Sequence, residues 1–125
     1  MRNIYIDRAN LSAECRSKNI TLSMESLYVW LSDKYKPDNI YMFTGYLEKY
    51  KNEYLNNENI GYKYIFKEAV YNKDEQKIKA NCDVDIAIQG TMDKIENNLE
   101  FALLITSDGD FASLVKFWQE RSVVV

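Results

Sequence analysis

The 125-residue sequence contains no histidine. This absence excludes Ser-His-Asp and Cys-His nucleophilic catalysis, an imidazole general base and a histidine-ligated zinc site. If the protein is a hydrolase, a carboxylate or a metal-bound water must supply the base. The missing histidines therefore narrow the possible chemistry considerably.

Cysteines and long apolar runs are also scarce. The two cysteines, Cys15 and Cys82, fit no CxxC or zinc pattern. Two thiols far apart in the chain are typical of a reduced compartment, so we expect a cytoplasmic protein. No apolar run reaches the roughly 18 residues of a membrane span, and the N-terminus lacks the basic start and long apolar stretch of a signal peptide. We therefore expect no membrane partner.

Charge and composition describe an ordinary globular chain. The net charge of −3 argues against a broad basic surface for nucleic acid. Apolar residues make up 46% of the chain and charged residues 28%, an ordinary balance for a globular protein with one core. One proline and no linker-like stretch predict a single domain over residues 1–125. Because the chain stops inside the apolar run SVVV, we expect a truncated chain or the first domain of a longer protein. The sequence leaves the oligomeric state open, a homo-oligomer included.

Apolar runs alternate with amphipathic stretches along the chain. The runs predict strands at residues 3–7, 39–46, 61–67, 101–106 and 122–125. Apolar residues at helical spacing predict helices around residues 24–31, 47–55, 84–95 and 111–118. The lysine-rich stretch 67–80 reads as a loop or irregular helix. Alternating strands and helices imply a doubly wound α/β fold with a mostly parallel sheet, for which we predict strand order 3-2-1-4-5.

Acidic residues follow two of the predicted strands. The first strand ends at Asp7, and the fourth ends at Thr106 and Ser107, directly before Asp108 and Asp110. In open α/β sheets, ligands bind beyond the carboxyl ends of the strands, where the strand order reverses. With order 3-2-1-4-5 these two strand ends are neighbours at that point. Asp83 and Asp85 open the helix that leads into the fourth strand.

Several carboxylates brought together repel and raise one another's pKa values unless a cation lies between them. Oxygen ligands without histidine or a suitable thiol favour Mg²⁺ or Mn²⁺. Such ions activate water and stabilise the leaving oxygen of a phosphodiester. The acidic pattern therefore predicts a hard-cation site with hydrolytic chemistry.

Each polar residue also has a structural explanation. Asp110 can cap the last predicted helix, and Asp83 or Asp85 can cap the helix before the fourth strand and complement its dipole. Asn10 extends the first motif to DxxN, which can orient a ligand carboxylate, touch a phosphate or form an Asx-type turn. The sequence does not decide among these roles.

Three segments of the chain resemble a known family. They are IYIDRAN (Ile4 to Asn10), KANCDVDIAI (Lys79 to Ile88) and LLITSDGDFASLV (Leu103 to Val115). Together they look like NYN domains, in the LabA-like branch of the PIN-like ribonuclease superfamily. The match covers essentially the whole chain, and the last segment is its most specific part. The resemblance implies a Rossmann-like three-layer, PIN-like fold and a metal-dependent ribonuclease active site.

The resemblance also assigns residues to roles. The family's acidic positions correspond to Asp7, Asp83, Asp108 and Asp110, and its polar positions to Asn10 and Ser107. Asp85 lies beside the acidic set as a further candidate. Lys79 falls at a basic position before the helix, where it meets a phosphate or is simply a solvated lysine, and Lys77 lies nearby.

The sequence departs from the family pattern at three positions. Gln89 stands where members often carry a further aspartate, and it brings no negative charge to a second metal site. Arg8 stands where a small residue is common, and it either contacts phosphate or crowds the site. Ser122 stands where a glycine is usual before the last strand.

The segment from Tyr62 to Ala80 interleaves cations with aromatic residues. Its lysines are Lys63, Lys67, Lys73, Lys77 and Lys79, and its aromatic residues are Tyr62, Tyr64, Phe66 and Tyr71. Stacking rings beside phosphate-binding cations suit single-stranded RNA. Aromatic residues packed under a strand and lysines on a solvated edge explain the same pattern.

Our first hypothesis is a ribonuclease in which Asp7, Asp83, Asp108 and Asp110 hold Mg²⁺ or Mn²⁺ and a metal-activated water cleaves RNA. The alternative is a non-catalytic RNA- or protein-binding module on the same fold, which Gln89 favours. A haloacid-dehalogenase-like phosphatase is a third reading. It fits less well, because Asp7 is followed by Arg8 and Ala9 rather than by a second acid two residues on.

Overall fold

The computed structural model describes the backbone of residues 1–68, 70–72, 77–79 and 82–125, and the side chains of residues 1–67 and 82–125. Four parallel strands form the main sheet: β1 (Arg2–Asp7), β2 (Asn39–Tyr46), β3 (Lys63–Glu68) and β6 (Phe101–Ile105). Their order is β3-β2-β1-β6, with β1 paired to β2 and β6 in the centre. Two short strands, β4 (Val70–Asn72) and β5 (Lys77–Lys79), form a separate antiparallel pair.

Five α-helices connect these strands in the described part of the chain. They are α1 (Arg8–Ser17), α2 (Met24–Tyr35), α3 (Lys51–Ile60), α4 (Asp83–Asn97) and α5 (Ala112–Glu120). Short 3₁₀ helices, Glu48–Tyr50 and Gly109–Phe111, precede α3 and α5. No helix among the described residues is both long and apolar enough to cross a bilayer.

The alternating side chains of β1 explain why helices cover both faces of the sheet. Ile4 and Ile6 point to one core, where Leu31 of α2 packs, and Tyr5 points to the other, where Trp118 of α5 packs. All five side chains are fully buried. A strand buried on both faces reads as a continuous apolar run, and three layers follow from it. The predicted three-layer α/β fold is confirmed.

Helices α4 and α5 touch at a glycine. A Cβ atom built on Gly90 would lie 2.5 Å from Cζ2 of Trp118, a separation that real Cβ atoms do not tolerate. The indole Nε1 of Trp118 donates to the carbonyl oxygen of Gly90 at 3.0 Å. The two helices therefore pack as closely as they do because position 90 has no side chain.

The observed elements differ from the predicted ones in three places. Residues 122–125 form only an isolated parallel bridge, Phe101 to Val124. The described sheet, β3-β2-β1-β6, therefore matches the first four strands of the predicted order 3-2-1-4-5 and lacks the fifth. Ser122 takes a positive φ of 62°, which turns the chain just before that bridge. The stretch expected to be a loop or irregular helix contains β4 and β5 instead. Helix α1 was not predicted; it buries no residue fully and so shows no apolar stripe.

Candidate metal centre

Three carboxylates from two segments meet at the carboxyl edge of the sheet. One oxygen each from Asp83, Asp108 and Asp110 lies within 4.8 Å of the others. Asp83 opens α4, while Asp108 and Asp110 lie between β6 and α5. The first two are half-buried and Asp110 is exposed. This arrangement places three of the four predicted acidic residues close enough to share one cation.

Hydrogen bonds within the β6–α5 connection set the positions of two of these acids. The backbone amide of Asp110 donates to Asp108 Oδ1 at 2.9 Å, which caps the 3₁₀ helix. The alternative that Asp110 itself caps the last helix is wrong: Phe111 precedes α5 and no side chain caps it. The backbone amide of Asp108 donates in turn to Thr106 Oγ1 at 3.1 Å.

Asp7 lies beside the three acids but is not among the carboxylates whose oxygens lie within 4.8 Å of one another. Its Oδ1 accepts from the Asn10 amide at 3.3 Å, capping α1, and its Oδ2 accepts from Thr106 Oγ1 at 3.5 Å. Burial raises the pKa of Asp7, the hydrogen bonds from Asn10 and Thr106 lower it, and the charge of Asp108 raises it further. Thr106 thus joins the end of β1 to the acid-bearing loop.

Asn10 has a positioning role in the structure. Its Oδ1 accepts from the backbone amide of Ser107 at 2.8 Å and from Ser107 Oγ at 3.1 Å. Asn10 on α1 therefore holds Ser107, the residue directly before Asp108 in the loop. The two polar residues assigned by the resemblance are brought together as a pair.

Asp85 lies outside the cluster. Its Oδ2 is 3.9 Å from Lys67 Nζ at the end of β3, and that oxygen is buried without a hydrogen-bond partner among the described residues. Residues two apart on a helix are turned about 200° from each other at 3.6 residues per turn. Asp85 and Asp83 therefore face different neighbours, and this spacing alone indicates that they do not act together.

Gln89 is engaged elsewhere. Its Nε2 donates to Oδ1 of Asp93 at 2.9 Å, one turn further along α4. Asp93 is fully buried and also accepts from Asn97 on Oδ1 and from Asn3 and Tyr5 on Oδ2. Gln89 thus supports the buried polar network around Asp93 rather than the acidic cluster.

Two aromatic residues of the predicted RNA path, Tyr62 and Tyr64, pack against the protein, whereas Phe66 is 39% exposed. Tyr62 is buried and donates to the carbonyl of Met24, and Tyr64 stacks on Phe66 with centroids 5.1 Å apart. Lys63 donates to Asn39 Oδ1. The packing explanation therefore holds for Tyr62 and Tyr64. The side chains of Tyr71, Lys73, Lys77 and Lys79 lie outside the described residues.

The donor set suits a hard divalent cation. The three ligand atoms are carboxylate oxygens, and Mg²⁺ and Mn²⁺ prefer oxygen. Burial raises the pKa of the Cys82 thiol, next to Asp83, to about 11, with the charge of Asp85 adding to the shift. The cluster therefore fits the ion that its residue types predict.

A family model identifies the family of the chain. The NYN domain model matches residues 3–125 of the chain. The chain belongs to the NYN domain family. NYN domains have a PIN-like nuclease fold, and members are generally divalent-metal-dependent nucleases that act on RNA. The LabA-like branch stays a prediction.

A solved structure shares the NYN fold seen here. It is a protein of unknown function from Vibrio parahaemolyticus, 19% identical, with a TM-score of 0.78 over 96% of this chain and 74% of that one. At this identity the likeness shows the fold alone. A comparison with curated proteins gave no match for this NYN domain.

Proposed function

We propose that this NYN domain is a divalent-metal-dependent ribonuclease that cleaves phosphodiesters in RNA, single-stranded RNA in particular. The observation that carries the proposal is the group of three carboxylate oxygens within 4.8 Å at the carboxyl edge of a nuclease-family fold. Carboxylates at that separation repel one another in water, and a cation between them removes the repulsion. Asp83, Asp108 and Asp110 would hold Mg²⁺ or Mn²⁺, with Asp7 beside them as the fourth acid of the site.

The residues around the acids act as a scaffold for the reaction. A divalent cation bound there supplies an activated water and stabilises the leaving oxygen. Thr106 and Asn10 fix the loop that carries Asp108. Thr106 donates to Asp7 at the end of β1 and accepts from the Asp108 amide, and Asn10 accepts from the Ser107 amide. Such fixed positions matter because a displacement of about 1 Å at a catalytic group costs on the order of 100-fold in rate.

The decisive experiment is cleavage of an end-labelled, unstructured RNA with Mn²⁺, Mg²⁺ or EDTA by the wild type and by Asp108→Asn. We expect metal-dependent cleavage that falls at least about 100-fold in the variant. Asparagine caps as well as aspartate, so the fold of the variant should persist. Asp33→Asn, which removes an exposed carboxylate from α2, is the matched control and should cleave normally.

Two results would contradict the ribonuclease. One is cleavage that continues in EDTA, and the other is undiminished cleavage by highly purified Asp108→Asn. Circular dichroism of each variant shows whether a loss of activity reflects a loss of fold.

The second candidate is a non-catalytic RNA-binding module on the same fold. Gln89 favours it, because this position carries no charge and its amide is bound to Asp93. RNA binding by the wild type without cleavage in any divalent metal would establish this candidate.

We also propose a reduced compartment such as the cytoplasm. Cys15 and Cys82 form no disulfide in the part of the chain that the structure describes. Cysteines stay out of disulfides where glutathione keeps thiols reduced.

A further inference from the structure

A second concave surface opens at the same edge of the sheet, on the other side of β1 from the acidic cluster. This cleft measures about 530 Å³, within the range of small-molecule sites. It lies between α1 and the segment that runs from the end of β2 into α3. Its polar lining includes Arg8, Ser12, Arg16, Thr44, Tyr50 and Glu53.

Helix α1 supplies the cationic wall of the cleft. Arg8, Ser12 and Arg16 are spaced four residues apart, which places them on one face of the helix. Arg8 pairs with Glu53 at 3.5 Å. The guanidinium of Arg16 has no ion-pair partner among the side chains that the structure describes. Two cations and one anion leave one net positive charge here, on a chain whose overall charge is −3.

The opposite wall carries an exposed aromatic ring. Tyr50 is 43% exposed, and the Lys49 ammonium lies 5.0 Å from the centroid of its ring. Tyr54 is buried behind it, and its hydroxyl bonds to Gly45 O and to the Leu47 amide, both at 3.3 Å. The cleft thus has a fixed floor and an accessible ring at its rim, the arrangement on which nucleobases stack.

The cleft and the acidic cluster adjoin through β1. Asp7 is the last residue of β1 and is linked through Thr106 to the loop of Asp108, while Arg8 follows Asp7 directly and lines the cleft. A strand whose phosphate lies at the acids therefore passes next over the two arginines. Along this path the strand would meet first the acidic cluster, then the guanidinium groups of Arg8 and Arg16, and then the ring of Tyr50.

We propose that this cleft binds one nucleotide of the RNA strand next to the scissile phosphate, with its phosphate on Arg8 and Arg16 and its base against Tyr50. The identification of the polymer as a substrate rests on the proposed ribonuclease function. Binding of the nucleotide itself needs neither metal nor turnover, which makes the two proposals separable.

The first test is an NMR titration of the ¹⁵N-labelled protein with 5′-AMP and with 5′-UMP in EDTA. We expect shifts confined to residues 8–16 and 44–54. Arg16→Gln and Tyr50→Leu should each weaken binding about tenfold, given what one phosphate contact or one base stack contributes. Tyr50→Phe keeps a ring and should bind as the wild type does.

The matched control is Arg121→Gln, which removes an exposed guanidinium at the end of α5, outside the cleft. Binding equal to the wild type is expected. Shifts that map outside the cleft, no binding of either mononucleotide, or equal weakening by Arg16→Gln and Arg121→Gln would each overturn the proposal.

Cleavage assays separate this proposal from the ribonuclease. In an active enzyme we expect Arg16→Gln to raise KM about tenfold with little change in kcat, because it removes substrate binding common to ground and transition states. Normal cleavage with an unchanged KM in this variant overturns the cleft alone. Mononucleotide binding in the cleft of a protein that cleaves no RNA overturns the ribonuclease and supports the cleft.

Discussion

The two ends of helix α4 carry aspartates in opposite circumstances. Near its C-terminal end, Asp93 is fully buried and accepts four hydrogen bonds from neutral side chains: Asn3, Tyr5, Gln89 and Asn97. At the N-terminal end, Asp83 is half-buried and faces the carboxylates of Asp108 and Asp110.

The contrast separates a carboxylate surrounded by neutral hydrogen-bond donors from carboxylates that lie close to one another. Four neutral donors point at the two carboxylate oxygens of Asp93. Tyr5 keeps its proton because burial, and then its bond to Asp93, raise its pKa. At the other end, like charges converge, an arrangement that costs free energy unless a cation enters. Asp93 therefore stabilises the fold, whereas the repulsion among Asp83, Asp108 and Asp110 lowers the stability until a cation binds.

The largest expected effect comes from removing the satisfied acid. Asp93→Ala leaves the buried Tyr5 hydroxyl without its acceptor and the Asn3 amide with only its 3.4 Å bond to Tyr5, and we expect a loss of about 3 kcal/mol in the free energy of unfolding. Asp83→Ala in EDTA should change it by less than about 1 kcal/mol, because lost helix-dipole interaction and relieved repulsion have opposite signs. Urea denaturation of the two variants measures both. Equal losses would erase the contrast.

Metal binding should act at one end of α4 only. Saturation with Mn²⁺ at about 100 times its Kd should add about 2.7 kcal/mol to the free energy of unfolding of the wild type. Asp108→Asn should lose most of this gain, whereas Asp33→Asn should keep it. Thermal or urea denaturation with and without EDTA gives the comparison. Equal stabilisation of Asp108→Asn would place the ion elsewhere.

Gln89 is the donor to Asp93 that the resemblance places at a common aspartate position. Gln89→Asp introduces the acid that members often carry, but it removes a donor from Asp93 and sets a like charge four residues away on the helix. We expect a loss of about 1–2 kcal/mol. Gln89→Ala removes the donor without adding charge, so the difference between the two variants measures the repulsion. A more stable Gln89→Asp in EDTA would contradict this account.

The smallest effect is a dependence on pH in EDTA. Asp7 has a pKa in the folded protein above its ordinary value of 3.8, chiefly through burial. Its contribution to stability is then fully present below pH 3.8 and is lost as the pH rises through the folded pKa. Asp7→Asn should flatten this part of the profile relative to Asp33→Asn. Identical profiles for the two variants would show that Asp7 is not shifted.

Much of the fold could be predicted from sequence because its signals are local. The apolar runs gave the four parallel strands, and the loop after β6 gave two of the three clustered acids. Helix α1 escaped prediction because it buries no side chain fully, and a polar contact helps to hold it: Asn10 bonds to Ser107, 97 residues away. Arg8, Ser12 and Arg16 share a helical spacing that would have indicated its cationic face.

The environment of Asp93 could not be predicted from sequence at all. Its donors Asn3 and Tyr5 lie 90 and 88 residues away and reach it only once β1 and α4 are packed together. Hydrophobic patterns place the elements, but they do not say which polar atoms meet. The pairing of Asp85 with Lys67 was missed for the same reason.

The contact between Gly90 and Trp118 fixes how far apart α4 and α5 lie. Asp83 lies seven residues before Gly90 on α4, and Asp110 lies just before α5, so the packing of these two helices contributes to the spacing of the acids. Mg²⁺ binds oxygen at about 2.1 Å and Ca²⁺ at about 2.4 Å. A side chain at position 90 would push α4 away from α5, and we expect the spacing of the acids, and with it the fit of a cation, to change.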